Sequence, residues 1–124
     1  MHKEQRLKKN GDFSKVYKDG LTCVNRLLVM RAIRNGLQIA RFGFSVGRRI
    51  GTAVARNRVK RLLRESVRQE VTRQGWDVVF VARLPAATAT YQEIRQSAHG
   101  LLEKAKLIEQ QNASAVGCRQ EGTA

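Results

Sequence analysis

The stretch Gly51-Thr52-Ala53-Val54-Ala55-Arg56-Asn57-Arg58-Val59-Lys60-Arg61-Leu62-Leu63-Arg64-Glu65-Ser66-Val67 decides how this chain is read. Ala55, Val59, Leu62, Leu63 and Val67 recur at helical spacing and make one apolar stripe. At about 100° per residue from Ala55, the cations Arg56, Lys60, Arg64, Arg68 and Arg61 fall between about 100° and 240°, with Asn57 at about 200°. Arg58 stands alone on the far flank. One helix therefore buries one face and offers a dense cationic face. Gly51-Thr52 opens it, the pattern runs over roughly residues 53–74, and Gly75 supplies a left-handed position to end it. A solvated helix face would pair Glu with Lys at i, i+4, and here only Glu65 and Glu70 are available. Arg48-Arg49 extends the patch ahead of the helix.

Outward from this helix, the elements follow from pattern and punctuation. Upstream, Asn10 caps a short helix of about two turns, with Asp12 in its first turn, Lys18 in its last and Gly20 beyond. Its Phe13, Val16 and Tyr17 share one face at i, i+3 and i+4. Strand-like runs cover Cys23 to Ile33, with room for a bend or division, and Ile39 to Val46. Asn35-Gly36 between them is a hairpin turn signal. Downstream, Val78 to Ala82 is a continuous apolar run that predicts a buried strand closed by Pro85. Thr90-Tyr91-Gln92-Glu93 is a capping-box pattern, and Tyr91, Ile94, Ala98, Leu101, Leu102, Ala105 and Ile108 give the last helix its core face. The expected fold is an α/β (α+β) sandwich in αβββαβα order, with helices packed on a small four-stranded mixed sheet. Residues 1–108 form a single domain in this reading, and 109–124 a disordered tail.

The net charge of +14 is segregated. Residues 1–64 hold 17 Lys/Arg against three acids, Glu4, Asp12 and Asp19, whereas residues 65–124 hold seven of each. Between Asp19 and Glu65 there are ten Arg, one Lys and no acid. Like charges repel in a compact state, so a one-signed field points to a polyanionic partner. Arginine binds phosphate bidentately and stacks on bases, which favours nucleic acid. The longest apolar runs are far too short to span a bilayer, and the polar Met1–Arg6 does not read as a signal peptide. Cys23 and Cys118 lie far apart, without metal-ligand or redox spacing. A soluble, reduced, cytoplasmic protein with no membrane partner is expected.

Ala53-x-x-Arg56-Asn57-Arg58-Val59-Lys60-Arg61-Leu62-x-Arg64 resembles the signature of the bacterial ribonuclease P protein family. Ser45 to Gly51 resembles that family's strand and loop before the motif. Phe13 to Gly20 resembles its first helix, and Ala82 to Ala86 the end of its last strand. The resemblance implies a ribosomal-protein-like fold with a left-handed crossover, where general topology rules would give a right-handed one. It implies that Arg56, Asn57, Arg58, Lys60, Arg61, Arg64 and Arg48 meet the catalytic RNA. It maps the cleft for the single-stranded 5′ leader of precursor tRNA onto Phe13, Tyr17 and Arg49. Arg31 stands where the family often has an aromatic residue, so a cation is expected on the leader there. The implied partners are catalytic RNA and precursor tRNA, with no protein partner. The implied cofactor is Mg²⁺, held mainly by the RNA.

No catalytic residue is expected on the chain itself. A protein nuclease needs clustered carboxylates for metals or a histidine acid/base pair. His2 sits at the terminus, His99 lies in the last helix, and the three acids of the basic half are scattered. The expected role is therefore a non-catalytic subunit that assists Mg²⁺-dependent endonucleolytic removal of the leader. A ribosomal or other structural RNA-binding protein is the alternative. DNA reading by the central helix lacks the helix-turn-helix partner it usually has.

Overall fold

Val78, Val79 and Phe80 are buried to 1 % exposure or less, and alternate residues of a strand point to opposite faces. A strand apolar on both faces belongs inside a sheet, and that decides the order of this one. In the computed structural model, which describes residues 6–7, 10–108 and 119–120, helix α1 (Asn10–Asp19) precedes strands β1 (Leu21–Val24), β2 (Leu28–Arg34) and β3 (Arg41–Ser45). Helix α2 (Ala53–Arg68), strand β4 (Trp76–Ala82), helix α3 (Tyr91–Lys104) and a two-residue strand β5 (Arg119–Gln120) follow. The sheet order is β3-β4-β2-β1-β5. β4 runs parallel to β3 and antiparallel to β2, so the sheet is mixed, as expected.

The insertion of β4 corrects one expectation. Asn35-Gly36 does form a turn, with Gly36 at φ 70°, but β2 and β3 do not pair as a hairpin. The turn instead carries the chain past β4, and Asn35 N–H donates to the Gly75 carbonyl at the start of that strand. The long first run divides at Asn25, whose side-chain oxygen accepts from the Leu27 and Leu28 amides at 3.1 and 2.9 Å.

The two faces of the sheet are covered unequally. Leu28, Met30, Ala32, Val78 and Phe80 join Val59, Leu63, Ile94, Ala98, Leu101 and Leu102 of α2 and α3 in the main core. Each such side chain contributes about 1.5–3 kcal/mol on burial. On the other face, among the described residues, α1 and Leu7 cover the sheet, with Val16, Leu7 and Val79 in a small second core flanked by Phe13, Ile33 and Val81. Among the described residues, part of that face is left open.

Two helix ends differ from the periodic pattern. α2 stops at Arg68, not 74, because the β-branched pair Val71-Thr72 follows and the chain turns to meet the far end of α3. There Arg73 N–H donates to the Leu107 carbonyl and Thr72 bridges Ile108. Gly75, at φ 86°, serves the turn into β4 rather than the helix end. α3 begins at the expected Thr90–Glu93 capping box, but Leu107 and Ile108 reach the core after it has ended, beyond Lys106 at φ 59°.

Of the tail expected to be disordered, Arg119 and Gln120 pair with Thr22 and Leu21 as β5, and the rest lies outside the described residues. Cys23 is disulfide-bonded rather than reduced. The pairing across Thr22 and Arg119 brings the C-terminal segment beside it, which cysteine spacing could not reveal. Cys118, the chain's other cysteine, lies outside the described residues, as do His2 and Glu4.

Candidate nucleic-acid interface

Two surfaces hold the residues singled out by sequence. The first is the outer face of α2. Thr52 caps this helix by accepting from the Ala55 amide at 3.2 Å, and Val59, Leu63, Ser66 and Val67 fix its buried side. Asn57, Arg58 and Arg61 are exposed, and Arg56, Lys60 and Arg64 half-buried. Arg68 is neutralised locally by Glu65 at 3.0 Å. Arg58, on the far flank, donates to the Ala89 carbonyl at 3.0 Å and so also ties α2 to the turn before α3. Arg56 Nε is buried with no hydrogen-bond partner among the described residues. Arg48 and Arg49 are exposed in the short 3-10 turn Arg48–Ile50 that precedes α2.

The second surface is the open part of the sheet beside α1. Val16 is fully buried, and that turns Phe13 and Tyr17 toward the edge of the helix contact. Tyr17 is 37 % exposed. Arg31, from β2, lies over its ring at 5.5 Å and donates to the Tyr17 carbonyl at 3.2 Å. Arg31 thus stacks on an aromatic residue and caps the end of α1, a contact worth about 0.5–1 kcal/mol at an exposed site. Phe13 is half-buried, with its ring lodged against Gly43 of β3. A Cβ at Gly43 would stand 2.6 Å from Phe13 Cζ, so only glycine admits the ring. Two residues further along β3, a hollow of about 420 Å³ is lined by Ser45, Gly47, Arg49, Val81, Arg83 and Pro85. Tyr17 with Arg31, Phe13 with Gly43, and the hollow with Arg49 therefore follow one another along one face of the sheet.

A buried ion pair anchors this wall. Asp77 of β4 is 4 % exposed and accepts from Arg41 Nε and Nη2 at 2.8 and 2.7 Å, and from Asn35 Nδ2 at 2.8 Å. The bond to Asp77 holds the Arg41 guanidinium above its ordinary pKa despite desolvation. Arg41 Nη1 also lies 3.6 Å from Asp12, which links the first turn of α1 to the sheet.

Among the described residues, no group of three or more His, Cys, Asp or Glu side chains is placed to hold a metal ion. His99 lies 2.9 Å from Glu70 and 3.5 Å from Glu103. No helix among the described residues is long and apolar enough to cross a membrane.

The family model described as Ribonuclease P matches residues 1–106. The chain belongs to the ribonuclease P protein family. A ribonuclease P protein component from Caldanaerobacter subterraneus subsp. tengcongensis is 49 % identical over 107 residues, covering 85 % of this chain and 92 % of its own. The RNase P protein of Staphylococcus aureus, solved at 2.0 Å, superposes with a TM-score of 0.77 at 35 % identity, covering 85 % of this chain and 98 % of its own. A S. aureus RNase P protein mutant with defective mRNA degradation activity superposes with a TM-score of 0.80 at 34 % identity, covering 86 % and 92 %. The family's fold, a mixed sheet with three helices, is the one described above.

The structure brings Phe13, Tyr17 and Arg31 together and places Arg49 at the far end of the same face. Arg56 to Arg64 sit on a separate helix. Sequence reading missed Gly43, Arg41 and Asp77. Gly43 left no signal in periodicity, whereas Asp77 was detectable as an acid opening an otherwise apolar strand.

Proposed function

We propose that this protein subunit of ribonuclease P grips the catalytic RNA with α2 and the single-stranded 5′ leader of precursor tRNA with the cleft between α1 and the sheet. One observation carries the reading: among the described residues, an aromatic-lined part of the sheet face beside α1 is open, while α2 on the other face carries a cationic outer side. A core-only role for the aromatics would leave Tyr17 covered, and a purely ribosomal role has no need of the cleft. Arg48, Arg56, Asn57, Arg58, Lys60, Arg61 and Arg64 are assigned to the catalytic RNA, and Phe13, Tyr17, Arg31 and Arg49 to the leader.

Each residue type suits its task. Aromatic faces stack on unpaired bases with little sequence preference, about 1–3 kcal/mol per base, as a subunit serving many leaders needs. Arg31 holds the Tyr17 ring in place and presents a cation to the backbone of the same strand. The guanidinium groups of α2 displace counterions from phosphates, which makes affinity depend on salt. Mg²⁺ is usually held by one or two carboxylates together with waters and phosphates, and the surface assigned to RNA here is cationic. The Mg²⁺ of the reaction is assigned to the RNA, which carries out the phosphodiester hydrolysis in the cytoplasm. The protein places the leader and screens charge.

The test is a comparison of precursor and mature tRNA binding to the reconstituted ribonucleoprotein, alongside cleavage by the protein alone. We expect the Tyr17→Ala subunit to weaken precursor binding and leave mature tRNA unaffected. Equal losses for both substrates would assign the cleft to another partner. Metal-dependent cleavage of precursor tRNA or mRNA by RNA-free protein would place chemistry on the chain.

A further inference from the structure

Val54 is 80 % exposed in the first turn of α2, a helix whose outer face carries a row of cations. Asn57, Arg58 and Arg61 follow it at i+3, i+4 and i+7, so all four lie on one side of the helix. With Arg64 they line a groove of about 440 Å³. Single exposed apolar residues are ordinary on protein surfaces. Here, though, the apolar spot is a wall of a concavity whose other walls are three guanidinium groups and a carboxamide.

A surface that meets only the phosphate ribbon of a duplex gains from an unbroken row of cations and has no use for a valine. A nucleotide that has left its stack presents different chemistry. Its phosphate suits the guanidinium groups, its ribose and base offer apolar faces, and its base edge and 2′-hydroxyl hydrogen-bond to a carboxamide. The groove offers each of these partners.

We propose that the groove of Val54, Asn57, Arg58, Arg61 and Arg64 takes an unpaired nucleotide of the catalytic RNA. The sugar and base lie against Val54, the phosphate against the arginines, and Asn57 reads the base edge or 2′-hydroxyl. This rests on the assignment of α2 to the catalytic RNA and adds the kind of RNA structure it selects: a bulge or loop, not a continuous helix.

The experiment measures affinity of the full-length protein for the catalytic RNA across a salt series, with Val54→Ala, Val54→Lys and Arg61→Ala. Alanine has the higher helix propensity and Val54 touches no core, so folding is undisturbed and melting confirms it. Val54→Ala should weaken binding about five- to tenfold, as loss of buried methyl groups does, with the salt slope unchanged. Val54→Lys should also weaken binding, because it fills the groove. Chemical probing of the RNA should show one unpaired nucleotide that the wild-type protein protects and both Val54 variants expose. If Val54→Lys binds more tightly with a steeper salt slope, the groove takes phosphates alone and the proposal is overturned. Unchanged affinity in Val54→Ala overturns it too. If Arg61→Ala also leaves affinity and slope unchanged, the assignment of α2 itself fails, which is a distinguishable result.

Discussion

Replacing Gly43 with alanine tests the geometry of the proposed leader cleft at its tightest point. The added Cβ would lie 2.6 Å from Phe13 Cζ and 2.7 Å from Cε1, where ordinary contact begins at 3.4 Å, a shortfall of 0.8 Å at the closer atom. The Leu7 Cβ at 3.3 Å blocks retreat on the other side. Overpacking of this kind costs about 1–3 kcal/mol. The obstructing atoms are the far end of a half-exposed side chain, so the ring swings outward and the cost falls toward the lower bound. Gly43 has no unusual φ, so the backbone accepts alanine. A loss of about 1 kcal/mol lowers the melting temperature of a domain this size by roughly 4 °C. The functional loss should be larger than the structural one. A displaced ring forfeits one stacking contact of about 1–3 kcal/mol, so precursor tRNA binding to the ribonucleoprotein should weaken by at least about fivefold. Mature tRNA, without a leader, should bind as before. A double-mutant cycle isolates the cause: in a Phe13→Ala background the Gly43→Ala penalty should vanish for both stability and leader affinity. If it persists undiminished, the contact between this ring and this glycine does not shape the cleft.

Three further outcomes follow from the contacts described. Asp77→Ala strips Arg41 of its bidentate partner and should destabilise the fold by about 3 kcal/mol in urea unfolding, with Arg41→Met in the same chain recovering much of the loss; a cost below 1 kcal/mol would mean the pair is solvated. The Thr90 backbone and hydroxyl hold the Glu93 carboxyl below its ordinary pKa. Its contribution is therefore complete above that ordinary value and disappears as pH falls through the lowered one, so wild type and Glu93→Gln should differ in melting temperature at neutral pH and converge in acid; a pH-independent difference would contradict this. Arg61→Ala and Arg64→Ala should each reduce the salt slope of catalytic-RNA binding by about 0.7–0.9, and unchanged slopes would mark α2 as plain solvated surface.

What the sequence alone determined were the features that repeat along the chain or sit next to each other in it. The stripe Ala55, Val59, Leu63, Val67 identified α2 and its buried side, because helical period is a local property. The capping box at Thr90–Glu93 started α3 for the same reason, and the lopsided charge named a polyanion as partner. The motif around Arg56 to Arg64 carried the family. Strand pairing was decided elsewhere. Asn35-Gly36 signals a hairpin locally, yet β4, buried on both faces, takes the place between β2 and β3 because it gains more there than β3 could. α2 ends at Arg68 because Arg73 finds its acceptor at Leu107, a partner distant in sequence. The cleft proposed for the leader is likewise tertiary. Phe13 meets Gly43, Tyr17 meets Arg31, and Arg41 joins Asp12 to Asp77 only once α1 lies across the sheet. Periodicity assigns a residue to a face, but which side chain that face will meet depends on packing between segments far apart in the chain.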